Sequence, residues 1–216
     1  DLDPDRIVAF GAAIQSENLT HKNINTLLLD VTPLSLGLGL VGGTVQKIIY
    51  RNTQIPFLAY QSFTTFEDNQ DSIEITIVQG ERDMVKDCRV LGTFVLNNIP
   101  PLPAGVPDVK ITFFIDTDGI LTVTAKEQLT GLEQSLEIKP TFGIETKDIV
   151  DMINLSMQNA KVDIQEKLKT DLQIEAQGVV KKIKSQIARN ADCINKDDLK
   201  NINEVIFKIE NSINND

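Results

Sequence analysis

The 216-residue sequence predicts an α+β chain, an antiparallel β-sandwich of seven or eight strands followed by an α-helical segment. Two observations carry this. All eight prolines and eleven of the twelve glycines fall at or before Gly143, after which only Gly178 interrupts a stretch rich in Lys, Gln, Ile and Asp. Turn chemistry gives way there to helix chemistry, which places a boundary near Gly143. The spacing of apolar residues changes at the same point, from alternation to the spacing of a helical face.

Taken in order, strands are predicted near Leu34–Leu40, Thr44–Tyr50 and Ala59–Thr65, with Gly42-Gly43 as a tight turn. The next, from Ser72, alternates strictly and sets Ile73, Ile75 and Ile77 on one face. Thr93–Leu96 follows. Val109, Ile111, Phe113 and Ile115 alternate, Asp116-Thr-Asp-Gly119 turns the chain, and Leu121, Val123 and Ala125 alternate back, which is a hairpin signature. Ser135–Lys139 completes the set, and strands this short and numerous form a sandwich.

Beyond the boundary, Ile149, Met152 and Ile153, then Leu168, Leu172, Val179, Ile183 and Ile187, recur at one or two helical turns and predict one long or kinked helix. Asn195 with Asp198 three residues on is an N-cap signal. It starts a second helix with Leu199, Ile202, Val205, Ile206, Ile209 and Ile213 on one side. Two helices cannot bury both stripes, so a larger helical bundle is expected in a parent protein. Near the start, Asp3-Pro-Asp and Val8-Ala-Phe-Gly-Ala-Ala-Ile14 predict a capped helix of small residues.

Between them lies Leu27-Leu-Leu-Asp-Val-Thr-Pro-Leu-Ser-Leu-Gly37, an apolar connector rather than an element. Exposed to water it costs free energy, so a docked state and communication between neighbouring domains are expected. The opening at Asp1, with neither Met nor an apolar leader, reads as a piece of a longer chain.

Composition excludes several classes. A net charge of −10 opposes binding to phosphate backbones or anionic membranes. No apolar run approaches the roughly 18 to 20 residues of a membrane helix. Cys88 and Cys193 lie too far apart to suggest a disulfide framework or a thiolate metal site, and a reducing compartment is the default. His21, the single histidine, sits in a polar connector without a carboxylate partner and reads as a solvated residue rather than a general base. Asp116-Thr-Asp118-Gly119 hints at a calcium loop, and Glu127 fills its twelfth position, but Leu121 stands where the sixth-position glycine belongs, so a turn is the better reading. Gly37-Leu-Gly39 and Gly42-Gly43 lack the spacing of a phosphate loop. Catalytic and metal residues are therefore not expected.

The informative constellation is apolar: Leu38-Gly-Leu-Val41 and Phe63-Thr-Thr-Phe66, with Ile73 and Ile75 beyond the polar turn Glu67-Asp-Asn-Gln70. Most of these are plain core residues by pattern. Phe66 is out of step with the strand alternation, which predicts a large ring at an exposed edge, as binding surfaces tolerate.

These segments, with Arg51-Asn-Thr-Gln-Ile-Pro56, Val78-Gln-Gly-Glu-Arg82 and Ile115-Asp-Thr-Asp-Gly-Ile-Leu-Thr-Val-Thr-Ala125, resemble the linker and substrate-binding domain of the seventy-kilodalton heat-shock chaperones. Phe66, Cys88 and Ile99-Pro-Pro-Leu-Pro-Ala-Gly105 are most similar to the branch dedicated to iron–sulfur cluster assembly. The resemblance divides the chain into 1–23, the tail of an upstream actin-like ATPase domain; 24–30, the linker with Leu27, Leu28, Leu29 and Asp30; 31–143, the peptide-binding sandwich; and 144–216, a helical lid. It implies an extended client peptide in a cleft lined by Leu38, Leu40, Val41, Phe63, Ile73 and Ile75, arched over by Val41 and Phe66 and flanked by Thr64 and Gln70. It further implies a latch from Asp68 to Lys181 and, with Ala104 in place of a pinning arginine, a looser lid. Implied partners are an iron–sulfur scaffold protein as client, a J-domain co-chaperone and the upstream ATPase domain. No cofactor is implied for this piece, and ATP with magnesium for its cytoplasmic parent. Two rival readings stand beside this one, a general folding chaperone and an assembly module whose helices oligomerise.

Overall fold

The structure is a computed structural model that describes residues 4–21, 30–141, 143–190 and 194–214. The connector leucines Leu27, Leu28 and Leu29, and Cys193, lie outside the described residues. The chain divides into two units, residues 1–30 and 31–216. In the first, helix α1 spans Pro4–His21. It is longer than the predicted segment, so His21 ends a helix instead of lying in a connector.

The second unit holds eight strands: β1 (Leu36–Gly39), β2 (Val45–Ile49), β3 (Phe57–Phe63), β4 (Ser72–Gln79), β5 (Arg89–Asn97), β6 (Val109–Ile115), β7 (Leu121–Glu127) and β8 (Glu133–Ile138). They form two antiparallel four-stranded sheets, ordered β2-β1-β4-β5 and β3-β6-β7-β8. The alternating residues meet between them: Leu36, Leu38, Ile75 and Ile77 from one sheet, and Val109, Ile111, Phe113, Leu121 and Val123 from the other, are all buried. Alternation is the cause, since residues two apart on a strand share a face.

The β6–β7 hairpin closes as the sequence predicts. Asp116 Oδ1 accepts the N–H groups of Asp118 at 2.9 Å and Ile120 at 2.8 Å. Glu127, fully buried, accepts the N–H groups of Leu129 at 3.0 Å and Thr130 at 2.6 Å. Burial pushes its pKa up, but the Thr130 hydroxyl and these two amides outweigh that and hold it below the ordinary carboxylate range. Both carboxylates are thus engaged with turn amides, as the turn reading requires.

Helix α2 runs unbroken over Thr146–Arg189 and α3 over Lys196–Asn214. Asn195 caps α3, its Oδ1 accepting the Asp198 N–H at 2.7 Å. Ile206 is the buried centre of the α3 stripe, whereas Val205, expected beside it, is 55% exposed. Leu168, Leu172, Ala176, Ile209 and Ile213 line an apolar groove of about 550 Å³ between the two helices. Among the described residues no helix is long and apolar enough to cross a membrane.

Candidate functional site

One face of α2 lies along the sandwich, and from Asp163 to Lys181 its contacts recur every three or four residues. Asp163, 2% exposed, takes a bidentate contact from Arg82, with Arg82 Nη2 2.7 Å from Asp163 Oδ1. Hydrogen bonding to this carboxylate raises the Arg82 pKa, so the guanidinium is held charged. Lys86 reaches Glu166 beside it. Lys167 Nζ donates to the Val45 carbonyl at 2.9 Å. Then come Thr170 and Ile174 on Gly42, Gly178 on Phe66, Lys181 on Glu67, and Arg189 on Asp68.

Two turns therefore meet the same helix. The first follows β1, where Leu40 and Val41 lead into Gly42. Gly42 has φ +83°, and a Cβ there would lie 2.4 Å from Ile174 Cδ1, so glycine suits both the backbone and the close helix. The second turn joins β3 to β4 and carries Thr64, Phe66, Glu67 and Asp68. Gln70 braces it: its Oε1 accepts the N–H groups of Phe66 at 3.0 Å and Glu67 at 3.2 Å, and its Nε2 donates to the Ser72 carbonyl at 2.7 Å. Asn69, at φ 58°, donates its N–H to the Leu102 carbonyl at 2.9 Å. The Gly105 N–H reaches the Thr65 carbonyl at 3.1 Å, tying the turn to the proline-rich loop.

The structure gathers the predicted cleft residues around these turns. Leu38 and Ile75 are fully buried in the core, and Phe63 and Ile73 pack against it. Leu40 and Gln70 are half-buried, Thr64 is exposed and Val41 is 57% exposed. Asp30 is exposed. Phe66 differs from expectation. It is half-buried, with its Cε2 3.8 Å from where a Gly178 Cβ would stand and Lys181 Nζ 5.9 Å from its ring centre. The ring packs against α2 beside Gly178. A cavity of about 420 Å³ lies between this turn and α2, bordered by Thr65, Ala104 and Val179; among the described residues the buried Thr65 hydroxyl there has no hydrogen-bond partner.

The latch also differs. Lys181 Nζ bonds Glu67 Oε1 at 2.7 Å, and Asp68 Oδ2 instead receives Arg189 at 3.2 Å, two turns further along α2. The cause is the folding of the turn: Asp68 Oδ1 accepts the Ala104 N–H at 2.9 Å, which turns Asp68 toward the proline-rich loop and leaves Glu67 to face Lys181. Each pair is exposed and is worth at most about 1 kcal/mol. The buried Arg82–Asp163 pair, which sequence reasoning missed, is the stronger anchor. Its one signal in the sequence was the arginine that ends the Gly-Glu-Arg turn.

Gly178→Ala is expected to be tolerated, because 3.8 Å to Phe66 is ordinary van der Waals contact. Removing a mid-helix glycine should stabilise α2 by about 1 kcal/mol. Thermal unfolding checks this: a raised Tm is expected, and a lowered one would show that Phe66 cannot share the space.

Cys88 is mostly buried and bonds the Arg82 carbonyl at 3.4 Å. Desolvation pushes its pKa up to about 11, so it is a protonated thiol at neutral pH rather than a nucleophile. Among the described residues no group of three or more His, Cys, Asp or Glu side chains could hold a metal ion.

The whole chain, residues 1–216, matches the family model described as Hsp70 protein. It is 43% identical over 211 residues to the chaperone protein HscA homolog of Mannheimia succiniciproducens, covering 97% of this chain and 34% of that one. It is 43% identical over 210 residues to the homolog of Shewanella sp. strain MR-7, covering 96% and 34%. With that of Rickettsia bellii the identity is 42% over 213 residues, covering 99% and 36%. The chain spans about a third of the length of these curated relatives. A sandwich of two four-stranded sheets with a helix pinned across its paired turns, matched along its entire length, belongs to the Hsp70 family, and within that family the chain is HscA-like.

Proposed function

We propose that residues 31–143 hold an extended apolar segment of a client polypeptide between the Leu40–Gly43 and Thr64–Gln70 turns, and that residues 144–216 are the lid over it. The observation that carries this is the pinning of one helix on both turns, by Ile174 at Gly42 and by Gly178 and Lys181 at Phe66 and Glu67. Entry and exit of a peptide then require α2 to lift. Leu40, Val41, Phe63, Phe66 and Ile73 would close around one client side chain over a floor of Leu38 and Ile75. Burying a Leu or Val there contributes about 1.5–3 kcal/mol. Strand-like backbone bonds add sequence-tolerant affinity, and ordering the peptide offsets part of both, so micromolar binding follows.

The HscA-like sequence supports an iron–sulfur scaffold protein as the client. Residues 1–23 are assigned to the end of an upstream ATPase domain and 24–30 to the linker through which ATP turnover drives release. ATP, magnesium and a J-domain co-chaperone then act on a cytoplasmic parent rather than on residues 31–216.

Fluorescence anisotropy with a labelled Leu-Pro-Pro-Val-Lys peptide, competed by an unrelated leucine-rich peptide, tests the reading. Preference for the proline peptide, lost in Phe66→Ala, is the expected result. Equal or reversed preference would indicate a general folding chaperone, and binding of neither would overturn the cleft.

A further inference from the structure

The turn Gly80-Glu81-Arg82-Asp83 follows β4, and each of its four residues is hydrogen-bonded to a distant segment. The Gly80 N–H donates to the Ser35 carbonyl at 3.0 Å, and the Asp83 carbonyl accepts the Val45 N–H at 2.9 Å. Glu81 takes both polar groups of Ser35: its Oε1 accepts the Ser35 N–H at 2.7 Å, and its Oε2 accepts the Ser35 hydroxyl at 3.0 Å. Lys47 Nζ donates to the Glu81 carbonyl at 2.7 Å. Arg82, the next residue, carries the bidentate contact to Asp163 of α2. Ser35 is 1% exposed, and its hydroxyl oxygen also accepts the Arg51 N–H at 3.0 Å, so it is fixed from two sides. It ends the segment by which the chain enters the sandwich, since the second unit opens at Val31. Within that segment Thr32 is tied elsewhere, its N–H to the Thr53 carbonyl at 3.0 Å and its hydroxyl to the Tyr50 carbonyl at 2.9 Å.

We propose that Glu81 is a positioning residue that couples the entry segment Val31–Ser35 to the docking of α2. The proposal rests on the reading of α2 as a lid, under which it makes peptide release sensitive to strain on the residues before Val31. Glu81 and Arg82 share one planar peptide unit, so a displacement of Ser35 that drags the Glu81 carboxylate also moves the root of the Arg82 side chain. Lys47 grips the carbonyl of that same unit, which opposes its rotating in place. A bidentate guanidinium–carboxylate contact is geometrically demanding and tolerates such a shift poorly. The element with two states is α2 itself, docked or lifted, and the alignment of Arg82 biases it.

Two measurements on the full chain test this: hydrogen exchange of the α2 amides without peptide, and the release rate of a bound labelled peptide. Glu81→Ala should raise both about tenfold, within the roughly 5–150-fold span of ordinary coupling between sites. Glu81→Gln, which keeps its size and an acceptor for the Ser35 N–H, and Ser35→Ala, which acts from the other end, should shift both in the same direction by less. Thr32→Val, which removes the bond to Tyr50 in the same segment, should leave both unchanged. In an Asp163→Asn background Glu81→Ala should add nothing to either rate, because the route through Arg82 is already cut, yet it should still lower Tm. Unchanged α2 exchange in Glu81→Ala would overturn the proposal. So would effects of Glu81→Ala and Asp163→Asn that multiply, or a Thr32→Val effect equal to that of Ser35→Ala, which would mean general loosening of the sandwich. Exchange is read without peptide, so a chain that gives the expected exchange pattern but binds no peptide would overturn the cleft and uphold the coupling.

Discussion

Asp163→Asn should free the lid at its base, weakening the docking of α2 on the sandwich by about 3 kcal/mol and raising the open fraction more than a hundredfold. The size follows from burial. Asp163 is 2% exposed, and the neutral amide leaves the Arg82 guanidinium without its closest counter-charge in a poorly solvated place. Asp87, 3.6 Å from Arg82, is the remaining acidic neighbour and compensates partly, which keeps the cost at the lower end for broken buried pairs. The measurement is the dissociation rate of a labelled peptide, alongside hydrogen exchange of the α2 amides. Faster release and loss of α2 protection are expected together. Lys86→Ala, which breaks the exposed pair with Glu166, should change either very little. Equal effects in the two variants would refute the ranking of the buried pair above the exposed one.

Gly37→Ala should cost about 3 kcal/mol of sandwich stability, at the upper end of what overpacking costs. A Cβ at Gly37 would stand 2.5 Å from the Gln46 carbonyl oxygen and 3.1 Å from Lys47 Cα, both backbone atoms of β2. Neither can rotate away as a side chain could. The added methyl must instead part β1 from β2 at the irregularity between Leu36 and Gly37. Gly39→Ala is the comparison, since its Cβ would meet the Val85 and Thr76 side chains, which can shift. Urea unfolding of both variants should place the midpoint of Gly37→Ala well below that of Gly39→Ala. Matching midpoints would show that the β1–β2 irregularity absorbs the methyl.

The sheets were legible in the sequence because alternation writes a strand's buried face directly into neighbouring residues. Ile73, Ile75 and Ile77, and the run from Val109 to Ile115, needed no information from elsewhere. Strand ends were less legible. β5 begins at Arg89, not Thr93, because Gly92 interrupts the apolar pattern and a side chain there would meet Leu136 of the facing sheet. The lid was visible as helix, but its docking face was not. Asp163, Lys167, Thr170, Gly178 and Arg189 are polar or small, and each finds its partner from 80 to more than 100 residues away in sequence. No local pattern records such pairings. The exchange of Glu67 for Asp68 as the partner of Lys181 shows the limit well. Adjacent carboxylates are equivalent until the Ala104 N–H takes Asp68 Oδ1 and leaves Glu67 to face Lys181.

Gln70 holds Phe66, Glu67 and Ser72 through one side chain, so the ring beside the cleft and the acceptor of Lys181 travel as a rigid unit. On the proposed reading a client therefore cannot widen the cleft while leaving the lid in place. Binding would be gated: the observed association rate should rise with client concentration and then level off at the rate at which α2 lifts, whatever the client's sequence. Clients of different affinity would share that plateau and differ only in how long they stay.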